Sequence, residues 1–405
     1  MTKTAFILAP DDGGAQPVFG VANVRRIVLL TSKLGFNNVH LFGRTESLTP
    51  LLSDLLPPES FHAADNPAEL HRAIEQIAVE KEVRILVLKA NLVIDRLSLV
   101  EFLQAEEDAA ILHMGLAGNG NSDGIYLTYP SELSQIVELL WSPENISPPL
   151  LNKAKLFHGR DGLPRTVGQI PGDGKISEEK LFGALAAQTA KTDGFMARHF
   201  DRRISQFFSS RLVRTKVTPN QVTLMGVSIG LTGAFLLSLS GYWPHLLGSL
   251  LFVFCVVVDG VDGEVARLKL MESRFGHYLD ITTDNLVHVA IFIGIAIGLY
   301  NDTGNRLYLW ALWFLLGGFG VCAIAVYKFI LSVDAEVLKR SPKLLRLMKM
   351  VSNRDFAYLV AFLAIVDRLN WFLLAAAIGT YLFAGGLWYL SSREKLRGSM
   401  RQENA

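Results

Sequence analysis

The chain has 405 residues, half of them hydrophobic and 19% charged, with 39 basic against 38 acidic side chains and a net charge of +1. That length allows two or three domains. The low charged fraction excludes a disordered protein and points to a membrane, and the balanced charge excludes a global nucleic-acid footprint. Two cysteines, Cys255 and Cys322, both in apolar runs, exclude a disulfide scaffold or a thiolate metal cluster.

Residues 1–150 read as a soluble α/β domain. TAFILA (4–9) is a short apolar run closed by Pro10 and two acids, which fits a buried strand. Val24–Leu34 has helical spacing, NVHLF (38–42) suits a second strand, His71–Val79 a helix and Ile85–Leu88 a further strand. Strand and helix alternating in this way predict a parallel, helix-flanked sheet. The opening MTKTAFILAPDDGG has no long apolar core and is not expected to be a secretory signal. HGRDGLPRTVGQIPGDGK (158–175) is rich in Gly and Pro and reads as a linker or an ordered loop.

Beyond residue 217 the pattern changes. Val217–Val258 carries no Asp, Glu, Lys or Arg, and similar runs follow at 285–301, 307–327 and 369–392. About 20 apolar residues cross a bilayer. Spans are expected near 221–241, 245–266, 275–300, 306–330, 350–367 and 369–391, the fifth having only an 11-residue uncharged core at 356–366, short enough for a re-entrant segment. Basic residues cluster before the first span, between the second and third, after the fourth and after the last, which places both termini in the cytoplasm of an inner-membrane protein. FMARHFDRRISQFFSSRL (195–212) mixes Phe and Ile with Arg, as an amphipathic helix on an anionic membrane surface would; an ordinary packing helix would read alike.

Within VVVDGVDGEVARLKLMESRFGHYLDITTDNLVH (256–288), Asp259 and Asp262 are three apart and Asp280 and Asp284 four apart. Each pair shares a helix face. If the two helices pair antiparallel, four carboxylates converge and repel unless a hard divalent cation, Mg²⁺ or Mn²⁺, lies among them. Gly260, Gly263 and Ala266 leave one face nearly bare, and Arg267 and Arg274 offer charge to a phosphate. A plain charged loop would explain Lys269, Glu272 and Arg274, but not four acids at span ends.

The run Asp259-x2-Asp262-Gly263-x2-Ala266-Arg267-x8-Gly276-x3-Asp280-x3-Asp284 resembles the signature of the CDP-alcohol phosphotransferase family at every fixed position, with the likeness extending over about residues 190–392. That resemblance implies a membrane transferase that moves a phospho-alcohol or phosphatidyl group from a CDP-alcohol to an acceptor hydroxyl and releases CMP. It implies Asp259, Asp262 and Asp280 as ligands of two Mg²⁺ or Mn²⁺ ions, with Asp284 as catalytic base and further metal contact. Gly263, Ala266, Arg267 and Gly276 would then lie against the CDP moiety. Asn220, after Pro219, matches the family's Pro-Asn element, though a helix N-cap is an equal reading. On the acceptor side, Lys328 and Arg354 suit a phosphorylated polyol, with membrane anchoring by basic residues as the alternative.

Residues 3–130 resemble the nucleotidyltransferase fold, with FILAP (6–10) and PVFG (17–20) where such enzymes carry a strand and a Pro-Val-x-Gly segment. The fusion is similar to bifunctional inositol-phosphate cytidylyltransferase/di-inositol-phosphate-phosphate synthases, to which KTDGFMARHFDRRIS (191–205) and SNRD (352–355) also point. The loop PDDGGAQ (10–16) departs by lacking the Gly-x-Gly-x-Arg pattern and its lysine, and Ala90-Asn91 replaces the Gly-Asp metal position. An inactive domain is therefore expected. The expected layout is an α/β nucleotidyltransferase-like, Rossmann-like domain at 1–157, a linker at 158–190 and an amphipathic helix at 191–216. An all-α six-helix transmembrane domain at 217–392 and a basic tail at 393–405 follow. Expected partners are the CDP-alcohol, the acceptor, the lipid bilayer and a second copy in a homodimer, with the front domain as a cap at its interface; Gly317-Gly318-x-Gly320 suits close helix packing, and no nucleic acid is expected. The rival class is a non-catalytic membrane-anchored nucleotide-binding or scaffold protein, which the intact acids disfavour; a transporter is disfavoured because the acids sit at one face and not at midplane.

Overall fold

The computed structural model describes residues 3–77, 83–105, 110–116, 124–141, 154–157, 163–168, 172–189, 200–332 and 356–403. It divides into two compact units, each taken separately. The first comprises Met1–Thr189, Leu212–Lys216 and Ala266–Met271; the second comprises Ala190–Arg211, Val217–Val265 and Glu272–Ala405.

The first unit is built on a seven-stranded sheet. Its strands are β1 (Lys3–Ala9), β2 (Phe36–Gly43), β3 (Phe61–Ala63), β4 (Ile85–Lys89), β5 (Ile111–Gly115), β6 (Gly124–Thr128) and β7 (Ala154–Phe157), in the order β7-β5-β6-β4-β1-β2-β3. The helices are α1 (Asn23–Lys33), α2 (Thr45–Leu52), α3 (Pro67–Glu75), α4 (Arg96–Leu103), α5 (Pro130–Trp141) and α6 (Asp173–Thr189). β1 is central, parallel to both β2 and β4, and buried from Thr4 to Ala9 because helices cover both faces of the sheet. Alternation along β1 divides its side chains between two cores. Ala5, Ile7 and Ala9 pack with Val24, Ile27 and Val28 of α1, whereas Phe6 and Leu8 pack with Ile136, Val137 and Leu140 of α5. β6 runs antiparallel to β4 and β5, so the sheet is mixed and not wholly parallel. The expected helix at 71–79 is found earlier, at Pro67–Glu75, because Asn66 caps it by accepting from the Glu69 amide and Pro67 occupies its first turn.

The expected linker is largely regular in its described part. Arg165–Thr166 pairs antiparallel with Leu92–Val93, α6 follows from Asp173, and both belong to the first unit. Local composition hid this, because the pairing joins segments about 70 residues apart.

The second unit is helical: α7 (Arg202–Leu212), α8 (Pro219–Ser238), α9 (Tyr242–Lys269), α10 (Arg274–Thr303), α11 (Leu307–Ser332), α12 (Phe356–Ile365) and α13 (Leu369–Glu403). Among the described residues, five helices are long and apolar enough to cross a membrane: α8, α9, α10, α11 over Leu307–Ala325 and α13 over Leu369–Gly386. α12, expected as the fifth of six spans, is a ten-residue apolar helix. At about 1.5 Å per residue its described part covers roughly half the ~30 Å hydrocarbon thickness, and 350–355 of the expected span lie outside the described residues. Its Phe356 packs with Phe292 and Phe372 in the helical core. α13 continues to Glu403 through the residues expected as a tail.

Glycine sets how closely α8 approaches α10. A Cβ on Gly294 would fall 2.3 Å from the Ala234 carbonyl oxygen, and one on Gly298 would fall 2.1 Å from that of Leu237. Backbone therefore touches backbone along this seam, the close approach that small residues permit in membranes.

Candidate functional site

α8 begins at a well-made cap. Thr218 accepts from the Gln221 amide while the Gln221 side chain accepts from the Thr218 amide, and Pro219 occupies the first turn. The capping role considered for Asn220 is thus filled by Thr218. Asn220 instead reaches towards α10: a Cβ on Gly276 would lie 3.2 Å from Asn220 Oδ1 and 3.1 Å from Ser273 Oγ. A larger residue at Gly276 would require one of them to give by a few tenths of an ångström. Ser273 caps α10 by accepting from the Gly276 amide.

α9 and α10 each bring two carboxylates. Oxygen atoms of Asp259, Asp280 and Asp284 all lie within 4.8 Å of one another, and the three residues are half-buried. Three like charges this close raise one another's energy steeply in a poorly hydrated site. Hard oxygen donors at this spacing fit a divalent cation of the Mg²⁺ or Mn²⁺ type.

Asp262, expected beside them, is buried on the same helix and is not in this cluster. Its Oδ2 accepts from the hydroxyl of Thr223 on α8, whose hydroxyl also lies 3.2 Å from the Pro219 carbonyl. Thr223 was not among the expected site residues. A polar side chain three residues beyond Asn220, in a run otherwise free of charge, was the available signal. Behind the cluster, Phe252, Cys255, Val256, Val287 and His288 line a small cleft with Asp259 and Asp284. Its walls are apolar or aromatic, with the His288 ring edge-on to Phe252 and to Phe356.

Gly263 and Ala266 follow on α9, both partly exposed, with Arg267 on its last turn. Ala266 and Arg267 are grouped with the first unit. α9 closes through Leu270, whose φ of +56° is left-handed, and the Met271 amide donates to the Ala266 carbonyl. Lys328 and Arg354 lie outside the described side chains.

In the first unit the acids Asp11, Asp12 and Asp95 are engaged locally. Asp11 accepts from the Gly13 amide, Asp12 from the Ser47 hydroxyl, and Asp95 caps α4 by accepting from the amides of Leu97 and Ser98. Asn91 is buried, with its carbonyl accepting from the Val167 amide at 2.9 Å. The loop itself is crowded. A Cβ on Gly13 would lie 3.0 Å from the Asn91 Cβ and 3.2 Å from the Val167 carbonyl oxygen, and one on Gly168 would lie 3.2 Å from the Gly13 Cα. Residues 167–168 thus pack directly against the short loop at 10–16.

Residues 216–391 match the family model described as CDP-alcohol phosphatidyltransferase. Two curated relatives are described as bifunctional IPC transferase and DIPP synthase. One, from Thermococcus kodakarensis, is 35% identical over 144 residues, which is 35% of this chain and 31% of that protein. The other, from Rubrobacter xylanophilus, is 36% identical over 146 residues, 36% of this chain and 31% of that protein. A phosphatidylinositol phosphate synthase of Streptomyces avermitilis is 32% identical over 135 residues, 32% of this chain and 48% of that protein. The match with each of the first two therefore spans about a third of the relative's length.

Proposed function

We propose that this protein is a membrane-embedded, divalent-metal-dependent transferase that moves a phospho-alcohol or phosphatidyl group from a CDP-alcohol to an acceptor hydroxyl and releases CMP. The observation that carries this reading is the convergence of Asp259, Asp280 and Asp284 within 4.8 Å, at the positions of a family signature lying inside the matched region. Asp259, Asp262 and Asp280 are the ligands we assign to two Mg²⁺ or Mn²⁺ ions, with Asp284 as a further contact. Bound there, such ions would neutralise the donor's diphosphate and stabilise the leaving phosphate.

The chain's own groups do the remaining work. Gly263, Ala266 and Gly276 leave room for the nucleotide, Asn220 offers it an amide, and Arg267 holds its phosphates. Asp284 takes the acceptor's hydroxyl proton as that oxygen bonds to the phosphorus nearer the alcohol. The bond from that phosphorus to the CMP oxygen breaks, and CMP leaves with the electron pair. The apolar cleft behind Asp284 keeps bulk water from competing as acceptor.

The relatives point to inositol phosphate or a related phosphorylated polyol as acceptor, which Lys328 and Arg354 would bind. The five apolar helices support a multi-pass membrane protein, which we orient with the carboxylates and both termini on the cytoplasmic side. The test is CMP release by the full chain in detergent with Mg²⁺, from CDP-inositol, CDP-glycerol and CDP-diacylglycerol, each offered inositol 1-phosphate, inositol or glycerol 3-phosphate. One donor–acceptor pair should support turnover that EDTA stops and Mg²⁺ restores. Full turnover in EDTA would exclude the metal-dependent mechanism.

A further inference from the structure

Glu264 stands two residues beyond Asp262 and five beyond Asp259 on α9. At about 100° per residue it lies roughly 160° from Asp262 and roughly 140° from Asp259 around the helix. It therefore projects from the back of α9 while the aspartates project from the front. Its side chain is fully buried. A buried carboxylate is costly unless its oxygens are satisfied, and here three donors meet it from one helix. Arg202 Nη1 donates to Oε1 at 2.7 Å, Ser205 Oγ donates to Oε1 at 2.9 Å, and Ser209 Oγ donates to Oε2 at 2.6 Å.

Arg202, Ser205 and Ser209 lie at i, i+3 and i+7, one stripe of α7. The other side of α7 exposes Ile204, Phe207 and Arg211. α7 is fastened a second time at its start, where the Tyr358 hydroxyl of α12 donates to Asp201. Thus α9 is held in front by Thr223 on Asp262 and behind by three side chains on Glu264.

We propose that Glu264, clasped by Arg202, Ser205 and Ser209, is a positioning residue that fixes the rotation of α9 and so sets Asp259 and Asp262 against Asp280 and Asp284. The inference rests on the metal-dependent reading above and adds the device that makes the site rigid. Stability alone does not require such a cluster, since an apolar residue of similar volume often replaces a buried ion pair without loss. What directional hydrogen bonds supply, and apolar packing does not, is a defined angle. A carboxylate about 5–6 Å from a helix axis moves by about 1 Å for a 10° turn. Functional groups need placement within about 0.5 Å, so a small loss of angular control reaches the metal ligands directly.

The test is Mn²⁺ affinity of the full chain in detergent, followed by the electron paramagnetic resonance signal of free Mn²⁺, alongside thermal unfolding and kcat. Wild type should bind Mn²⁺ saturably, and Asp280→Asn should abolish this. Glu264→Ala should weaken Mn²⁺ binding by about 10–100-fold, the usual cost of losing an outer-shell partner, and lower kcat. Glu264→Gln, which keeps the shape and one accepting oxygen, should recover part of that loss. Should Glu264→Ala leave Arg202 unpaired and fail to fold, the double variant Arg202→Met/Glu264→Leu fills the same volume without charge. It should unfold no earlier than wild type yet bind Mn²⁺ at least tenfold more weakly. Wild-type affinity in Glu264→Ala, or in a folded double variant, would overturn the clasp while leaving the metal site standing. Absence of saturable Mn²⁺ binding in wild type would overturn both.

Discussion

The carboxylates of α9 and α10 do different jobs, and single substitutions separate them. Asp259 and Asp280 bring oxygen atoms within 4.8 Å of each other, so as ligands of a shared ion Asp259→Asn or Asp280→Asn should abolish turnover together with Mn²⁺ binding. Asp284 lies one helical turn beyond Asp280 and lines the apolar cleft. As the proposed base, Asp284→Asn should lower turnover by ~10²–10⁴ and largely spare CDP-alcohol binding. A collapse of donor affinity with turnover retained would make Asp284 a binding residue instead. Thr223→Val keeps the volume and removes the donor to buried Asp262. It should cost about tenfold or more in metal affinity, measured by Mn²⁺ titration, with unfolding little changed.

At the scale of elements, the seam between α8 and α10 and the edge of the sheet each make a testable statement. In open helix, Gly→Ala gains up to about 1 kcal/mol of propensity. At Gly298 the new methyl would meet the Leu237 carbonyl oxygen at 2.1 Å, so the clash dominates and Gly298→Ala should destabilise by about 1–3 kcal/mol. Gly379 of α13 has nothing within 4 Å of an added Cβ, so Gly379→Ala should be neutral or stabilising; thermal unfolding in detergent distinguishes the two. In the first unit, His40 Nδ1 and His62 Nε2 sit 3.1 Å apart on β2 and β3, and Phe6 and Phe42 pack against them. Burial lowers the pKa of both rings, and for His40 the neighbouring His62 lowers it further. A histidine whose folded pKa is depressed binds its proton more readily when unfolded, so stability falls as pH drops through the ordinary value of about 6.5. Protection factors of β2 amides, taken relative to the intrinsic exchange rate at each pH, should therefore fall between pH 7.5 and 5.5, and His62→Gln should flatten that response.

Across the whole molecule, what the sequence made readable was local. The four acids of the signature fall on two helices joined by a short turn, so spacing alone put each pair on one face. β1 was readable because a parallel strand buried on both sides is a continuous apolar run. What stayed hidden joins distant segments. Thr223 meets Asp262 across 39 residues, and Arg202, Ser205 and Ser209 meet Glu264 across 55 to 62. Nothing in GEVAR distinguishes a buried Glu264 from the exposed Glu272 nearby. The Arg165–Thr166 strand was likewise masked by Gly and Pro, and its partner strand is tertiary in origin.

That strand holds residues 167–168 beside the loop at 10–16 of the first unit. Residues 3–130 carry the strand and Pro-Val-x-Gly segment expected of a nucleotidyltransferase pattern, and two of the relatives are described as bifunctional. Cytidylyl transfer needs CTP phosphates cradled by backbone amides and cations, with a metal held by acids. Asp11, Asp12 and Asp95 are each committed to a local hydrogen bond, and Asn91 has no charge to offer a metal. Residues 167–168 pack on Gly13 and are tied to Asn91 through the Val167 amide, so they fill space beside the short loop that a triphosphate would need. Each missing charged contact can cost several kcal/mol of transition-state stabilisation, and the losses fall on the same step. The full chain should therefore release no pyrophosphate from CTP with inositol 1-phosphate or glycerol 3-phosphate, while it still releases CMP from a supplied CDP-alcohol. Pyrophosphate release that disappears in Asp95→Asn would show that the loop opens and that the domain is an active cytidylyltransferase.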